Sequence, residues 1–146
     1  IYGDSYVNPE AFPESYEAGT LNMPAIWALK NAVEYINEHI SEMNKTESGL
    51  TQYLVKSMTA LPNVIVYNAD KPRVSTLAFN VKGKSSSDVV ALLDKNGICV
   101  RGGIHCAILA HETLGTVKSG AVRVSMNSYN TKDEIDAFIK VIGGIN

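Results

Sequence analysis

The chain has 146 residues, 45% of them hydrophobic and 19% charged, and a formal net charge of −2 at pH 7. This is a globular composition, long enough for one domain with a sizeable core. The near-neutral balance, with no run of Lys or Arg, argues against nucleic-acid or anionic-membrane partners, and no apolar stretch approaches the roughly 18 residues of a membrane span.

Residues 1–22 hold Gly3, Pro9, Pro13 and Gly19 among scattered aromatics without a period. They read as an extended arm or loop, in which Tyr2, Tyr6, Phe12 and Tyr16 are expected to bury their rings. The chain opens on Ile1-Tyr2-Gly3, with neither a methionine nor a signal-peptide pattern, and so reads as a processed or excised piece. Asn22 and Pro24 mark a helix start. Ile26, Leu29, Val33, Ile36 and Ile40 then share one face of a helix over about 23–42. A second helix is expected after Thr46, striped by Leu50, Tyr53, Leu54 and Met58 and stopped by Pro62.

Val64–Tyr67 and Val74–Val81 read as strands. Ser85-Ser86-Ser87-Asp88 starts a helix through Leu93 that Asn96-Gly97 ends. Ile98-Cys99-Val100 reads as a strand, residues 101–107 as a glycine-containing loop, and His111–Leu114 as the end of a short helix. Ala121–Met126 is a further strand, and Thr131 with Glu134 forms a capping box before a helix carrying Ile135, Phe138, Ile139 and Ile142. Neighbouring strand signals and matched helix stripes predict an α+β layer. In it, helices over about 23–42 and 132–143 cover one face of an antiparallel sheet.

The segment from Val100 through Arg101-Gly102-Gly103-Ile104-His105-Cys106 to Ala107 is the strongest candidate for chemistry. A thiol attacks as its thiolate, which a neighbouring cation or His favours, and glycines let such a loop approach a ligand. The alternative is a turn holding a buried cysteine that acts as a small hydrophobe. Cys99, between Ile98 and Val100, reads as a buried structural thiol.

In Ala121–Met126, alternation sets Arg123 and Ser125 opposite Val122, Val124 and Met126. Arg123 is either a carboxylate-binding fork or a solvent-facing arginine. Glu17-Ala18-Gly19-Thr20, just ahead of a helix, is either a phosphate contact or a capped turn. Cys99, His105, Cys106 and His111 have metal-ligand chemistry but match no common zinc spacing. Two cysteines are too few for a disulfide scaffold, so a reducing cytosol is the simpler setting. Asn44-Lys45-Thr46 fits a glycosylation acceptor of a kind that often arises by chance.

Four pieces together resemble the cysteine desulfurases, within the class V aminotransferase group of fold type I pyridoxal-phosphate (PLP) enzymes. They are Glu17-Ala18-Gly19-Thr20; Asp94 through Asn96-Gly97 to Arg101; Gly103-Ile104-His105-Cys106-Ala107; and Val122-Arg123-Val124-Ser125 followed by Tyr129-Asn130-Thr131. The resemblance runs from about Glu17 to the C-terminus. It implies that residues 1–22 end the large cofactor domain and that 23–146 form the small C-terminal domain.

The resemblance also implies roles. Cys106 would take the sulfur of L-cysteine as a persulfide, with His105 beside it. Arg101 and Arg123 would hold the substrate carboxylate, and Gly19 and Thr20 would contact the PLP phosphate, Thr20 that of the neighbouring subunit of a homodimer. A sulfur-acceptor protein is an implied partner and the cytoplasm an implied location. Ile104 stands where the commonest form of the loop has a first histidine. The family's PLP lysine follows a histidine, and this chain has no His-Lys pair; alone, it is expected to be inactive. Selenocysteine lyase is a neighbouring reading with the same residues, and another class V aminotransferase-like enzyme is the reading if Cys106 is incidental. A non-catalytic binding or sulfur-carrier module is the alternative of another class.

Overall fold

A computed structural model describes residues 10–17 and 19–145. The chain forms two compact units, Ile1–Ile40 and Ser41–Asn146.

The first unit holds a 3₁₀ turn, Glu14–Tyr16, and the start of helix α1, Met23–Thr59. The Asn22 side chain accepts from the Ala25 amide at 3.1 Å, the cap read from the sequence. Phe12 and Tyr16 meet edge to face at 6.2 Å but stay 81% and 85% exposed. Their expected burial is therefore not found, and Tyr2 and Tyr6 lie outside the described residues. Ile26, Leu29, Val33, Ile36 and Ile40 are 43–64% exposed.

The expected break between two helices does not occur either; α1 is continuous through 43–49. Met43, Lys45 and Glu47 are good helix formers. Asn44, Thr46 and Gly49 cost only about 0.5–1 kcal/mol each in a helix interior.

In the second unit the remainder of α1 is followed by β1 (Val64–Val66), β2 (Thr76–Val81), α2 (Ser86–Lys95), β3 (Arg101–Gly103), α3 (Ile108–Leu114), β4 (Ala121–Ser125) and α4 (Lys132–Gly143). The sheet order is β1-β2-β4-β3, and every neighbouring pair is antiparallel. Leu77 pairs with Val124 and Phe79 with Val122. These side chains, with Val81, face the core formed with Leu54 and Met58 of α1, Val89 and Leu93 of α2, and Ile135, Phe138 and Ile142 of α4. Phe79 and Phe138 meet edge to face at 5.8 Å. Each such buried side chain contributes about 1.5–3 kcal/mol, so this layer dominates the stability.

The α+β layer is thus as expected, with one correction. The part of α1 that is buried is Thr51, Leu54 and Met58, not the stripe over 23–42. Amphipathic spacing shows that a helix face needs cover but not what covers it.

Local chemistry sets the element ends. Ser85 caps α2 by accepting from the Asp88 amide at 3.1 Å. Thr131 and Glu134 form the reciprocal capping box of α4. At the end of α2, Gly97 takes φ +72° and the Ile98 amide donates to Leu93 O at 3.0 Å. The residues after α2 therefore still belong to its C-terminal cap, and β3 pairing begins only at Arg101. The strand expected at Ile98–Val100 is displaced by three residues, and part of the expected 101–107 loop is strand.

Candidate active site

The face of the sheet away from the core carries the candidate residues. Pairing aligns Arg101 of β3 with Arg123 of β4, and Ala78 of β2 with Arg123. Like charges directly opposite on a sheet repel, and here no described carboxylate forms an ion pair with either arginine. Arg123 is only partly exposed, and its Nε is buried without a hydrogen-bond partner. A buried unpaired donor costs about 1–3 kcal/mol. Thr76 and Ser125, paired on the same face, place hydroxyls 3.3 Å apart.

Close helix packing holds β3 in place. A Cβ at Gly102 would lie 2.8 Å from Val90 Cγ2 and 3.1 Å from the Ser86 carbonyl oxygen, so only glycine lets α2 approach this strand. Beyond Gly103 the chain turns sharply. His105 and Cys106 both adopt left-handed conformations, φ +56° and +57°. For non-glycine residues that is uncommon and strained, and such strain concentrates at functional sites.

The Ala107 amide closes the turn on Ile104 O at 3.0 Å, and α3 follows at once. His105 Nε2–H donates to Arg101 O at 3.1 Å, which leaves Nδ1 as the basic nitrogen of the neutral ring. Burial, and secondarily the charges of Arg123, His111 and Arg101, hold the His105 pKa below the ordinary histidine value against that backbone bond. Neutral imidazole therefore predominates at pH 7. Cys106 is exposed.

Arg101, His105, Cys106 and Arg123 thus gather on one edge of the second unit. Gly19, at φ +78°, and Thr20 are exposed in the bend ahead of α1 in the first unit. Cys99 departs from expectation. It is exposed and lines a cavity of about 410 Å³ with Leu54, Val124, Met126, Ile135 and Phe138. Ile98 and Val100 pack against the core, and the residue between them turns outward.

The sequence marks His111 only as a metal-ligand type in a short helix and does not single out Thr116. Both are 4% exposed, and His111 Nδ1 shares a 2.8 Å hydrogen bond with the Thr116 hydroxyl. The available signal was Gly115, a left-handed helix end that folds Thr116 back on the last turn of α3. Among the described residues no group of three or more His, Cys, Asp or Glu is arranged to hold a metal ion.

An antiparallel α+β layer with paired arginines beside a strained His-Cys turn defines a domain suited to an anionic substrate and thiol chemistry. The family model for "Aminotransferase class-V" matches residues 4–138; the chain belongs to that family. It is 33% identical to a probable cysteine desulfurase of Synechocystis sp., covering 96% of this chain and 34% of that protein. It is 35% identical to a cysteine desulfurase of Cronobacter sakazakii, covering 88% and 31%.

The apo structure of a cysteine desulfurase from Thermococcus onnurineus superimposes with a TM-score of 0.77 at 32% identity, over 90% of this chain and 33% of that one. The chain spans about a third of the length of these relatives.

Proposed function

We propose that the chain is the C-terminal part of a PLP-dependent cysteine desulfurase, with residues 1–22 ending the large domain and 23–146 forming the small one. The observation that carries this is the Arg101–Arg123 pair, with its unpartnered Nε, leading directly into the left-handed His105-Cys106 turn. The cysteine desulfurase relatives support it.

The two guanidinium groups bind the carboxylate of L-cysteine and orient the substrate, the positioning that makes attack effectively intramolecular. Cys106, as thiolate, attacks the substrate sulfur. An S–S bond forms, the substrate C–S bond breaks, and protonation of the carbon yields L-alanine and a Cys106 persulfide. Neutral His105 exchanges protons beside the thiol.

The residues present fit a share of a PLP site. Thr20 offers a hydroxyl and Gly19 an open bend to a phosphate, while the chain has no His-Lys pair to supply the family's lysine. PLP, when bound, supplies the electron sink for C–S cleavage. The complete enzyme works as a cytoplasmic homodimer and passes its sulfur to an acceptor protein. No helix among the described residues is long and apolar enough to cross a membrane.

The test is Cys106→Ser in the complete enzyme. Serine matches the thiol closely in size but is a far poorer nucleophile toward sulfur. Persulfide formation disappears while PLP absorbance is retained; desulfuration at the unaltered rate would overturn the assignment.

A further inference from the structure

The mechanism above leaves the buried His111 and Thr116 unused, although they adjoin the reactive turn. Two successive left-handed, non-glycine residues persist only where their surroundings over-determine the backbone. The bonds that fix this turn are few: Ala107 N–H to Ile104 O at 3.0 Å and His105 Nε2–H to Arg101 O at 3.1 Å. Both depend on what stands behind the loop.

His111 stands there. Its ring centroid is 5.8 Å from that of His105, tilted by 46°. Its amide donates to Ala107 O at 3.1 Å, and its carbonyl accepts from the Thr116 amide at 2.8 Å. Its Nδ1 is tied to the Thr116 hydroxyl at 2.8 Å. The Gly120 amide in turn donates to Thr116 O at 2.8 Å, just before β4. A continuous run of contacts therefore leads from the strand of Arg123, through Thr116 and His111, to the ring of His105.

We propose that His111, tethered by Thr116, is a positioning residue: it is the wall that holds the His105-Cys106 turn in its left-handed form and so aims the Cys106 thiol. This rests on the reading of Cys106 as the reactive thiol. His111 itself touches neither substrate nor reacting atoms.

The charged and titratable groups facing His105 are Arg101 from β3, Arg123 from β4 and His111 from α3. Removing the wall opens His105 to water and deletes one of these neighbours. Both changes act in the same direction, toward a higher His105 titration midpoint.

The experiment compares His111→Ala, Thr116→Val and Thr116→Ser with the unaltered chain by NMR. It reads the His105 titration and the hydrogen exchange of the Ala107 amide, with α4 amides as reference. In His111→Ala and Thr116→Val, Ala107 protection falls by about ten-fold relative to α4, and in His111→Ala His105 also titrates at higher pH. Thr116→Ser, which keeps the hydroxyl, behaves as the unaltered chain. Should His111→Ala fail to fold, the Thr116 pair still decides, since it leaves the ring in place.

Unchanged Ala107 protection in Thr116→Val would overturn the proposal. So would an equal loss of protection at α4, which marks a general stabilising role. Neither readout involves sulfur transfer. A failure here leaves the desulfurase reading standing, and an active Cys106→Ser enzyme leaves these readouts unaffected.

Discussion

Arg123 shows how one side chain can be set by its place in a sheet. Its backbone belongs to the ladder, its Nε is buried and unpartnered, and Arg101 lies directly across. Losing a charge-assisted bond costs about 1.5–3 kcal/mol. Arg123→Ala in the complete enzyme is therefore expected to lower kcat/KM for cysteine by about 10- to 150-fold. Arg123→Lys should recover little of it, because an ammonium lacks the planar fork that grips a carboxylate. Steady-state kinetics on the two variants check this; a fully active lysine variant would show that only charge matters. Cys99 teaches the opposite lesson about a single residue. Its apolar neighbours suggested burial, yet it is exposed, and alkylating reagents should modify Cys99 as well as Cys106.

At the level of elements, β3 depends on the approach of α2. A Cβ at Gly102 would meet a backbone carbonyl as well as Val90, and the backbone cannot rotate away as a side chain can. Gly102→Ala is expected to destabilise the domain by about 1–3 kcal/mol through overpacking, measured by urea unfolding; a cost near zero would mean that α2 shifts freely. What the sequence revealed of the elements follows their physics. Residues 121–126 were legible because a half-buried strand has a period of two, and α4 because Thr131 and Glu134 form a capping box within four residues. The register of β3 was not legible. It depends on how far the α2 cap runs past Gly97, a tertiary matter that Ile98-Cys99-Val100 conceals by resembling a strand. In the same way a second helix was expected after Thr46, but good helix formers such as Lys45 and Glu47 carry α1 through. The site was half legible: Arg101, His105, Cys106 and Arg123 came from motifs, whereas His111 and Thr116 matter only through a contact made in three dimensions.

At the level of the whole molecule, the first unit leaves a large apolar surface uncovered. Trp27 is 68% exposed, Leu29 64% and Met23 59%. Exposed apolar surface of this kind marks an interaction site. The 146-residue chain, purified alone, is expected to self-associate, to release no alanine from cysteine and to attach no PLP covalently. Sedimentation, an alanine assay and visible absorbance test these in turn; a monomer at high concentration, alanine release, or a cofactor band formed with this chain alone would contradict them.

On the proposed role of Arg101 and Arg123, folding and ligand capture become one equilibrium. An anion that bridges them binds the native sheet but not the unfolded chain, so every occupied site shifts the unfolding transition upward. An anion present at 100 times its dissociation constant would add about 2.7 kcal/mol. The melting temperature thus becomes an assay for carboxylate recognition that needs neither cofactor nor turnover. At matched ionic strength a small carboxylate should raise it more than chloride does, and Arg123→Ala should abolish the difference.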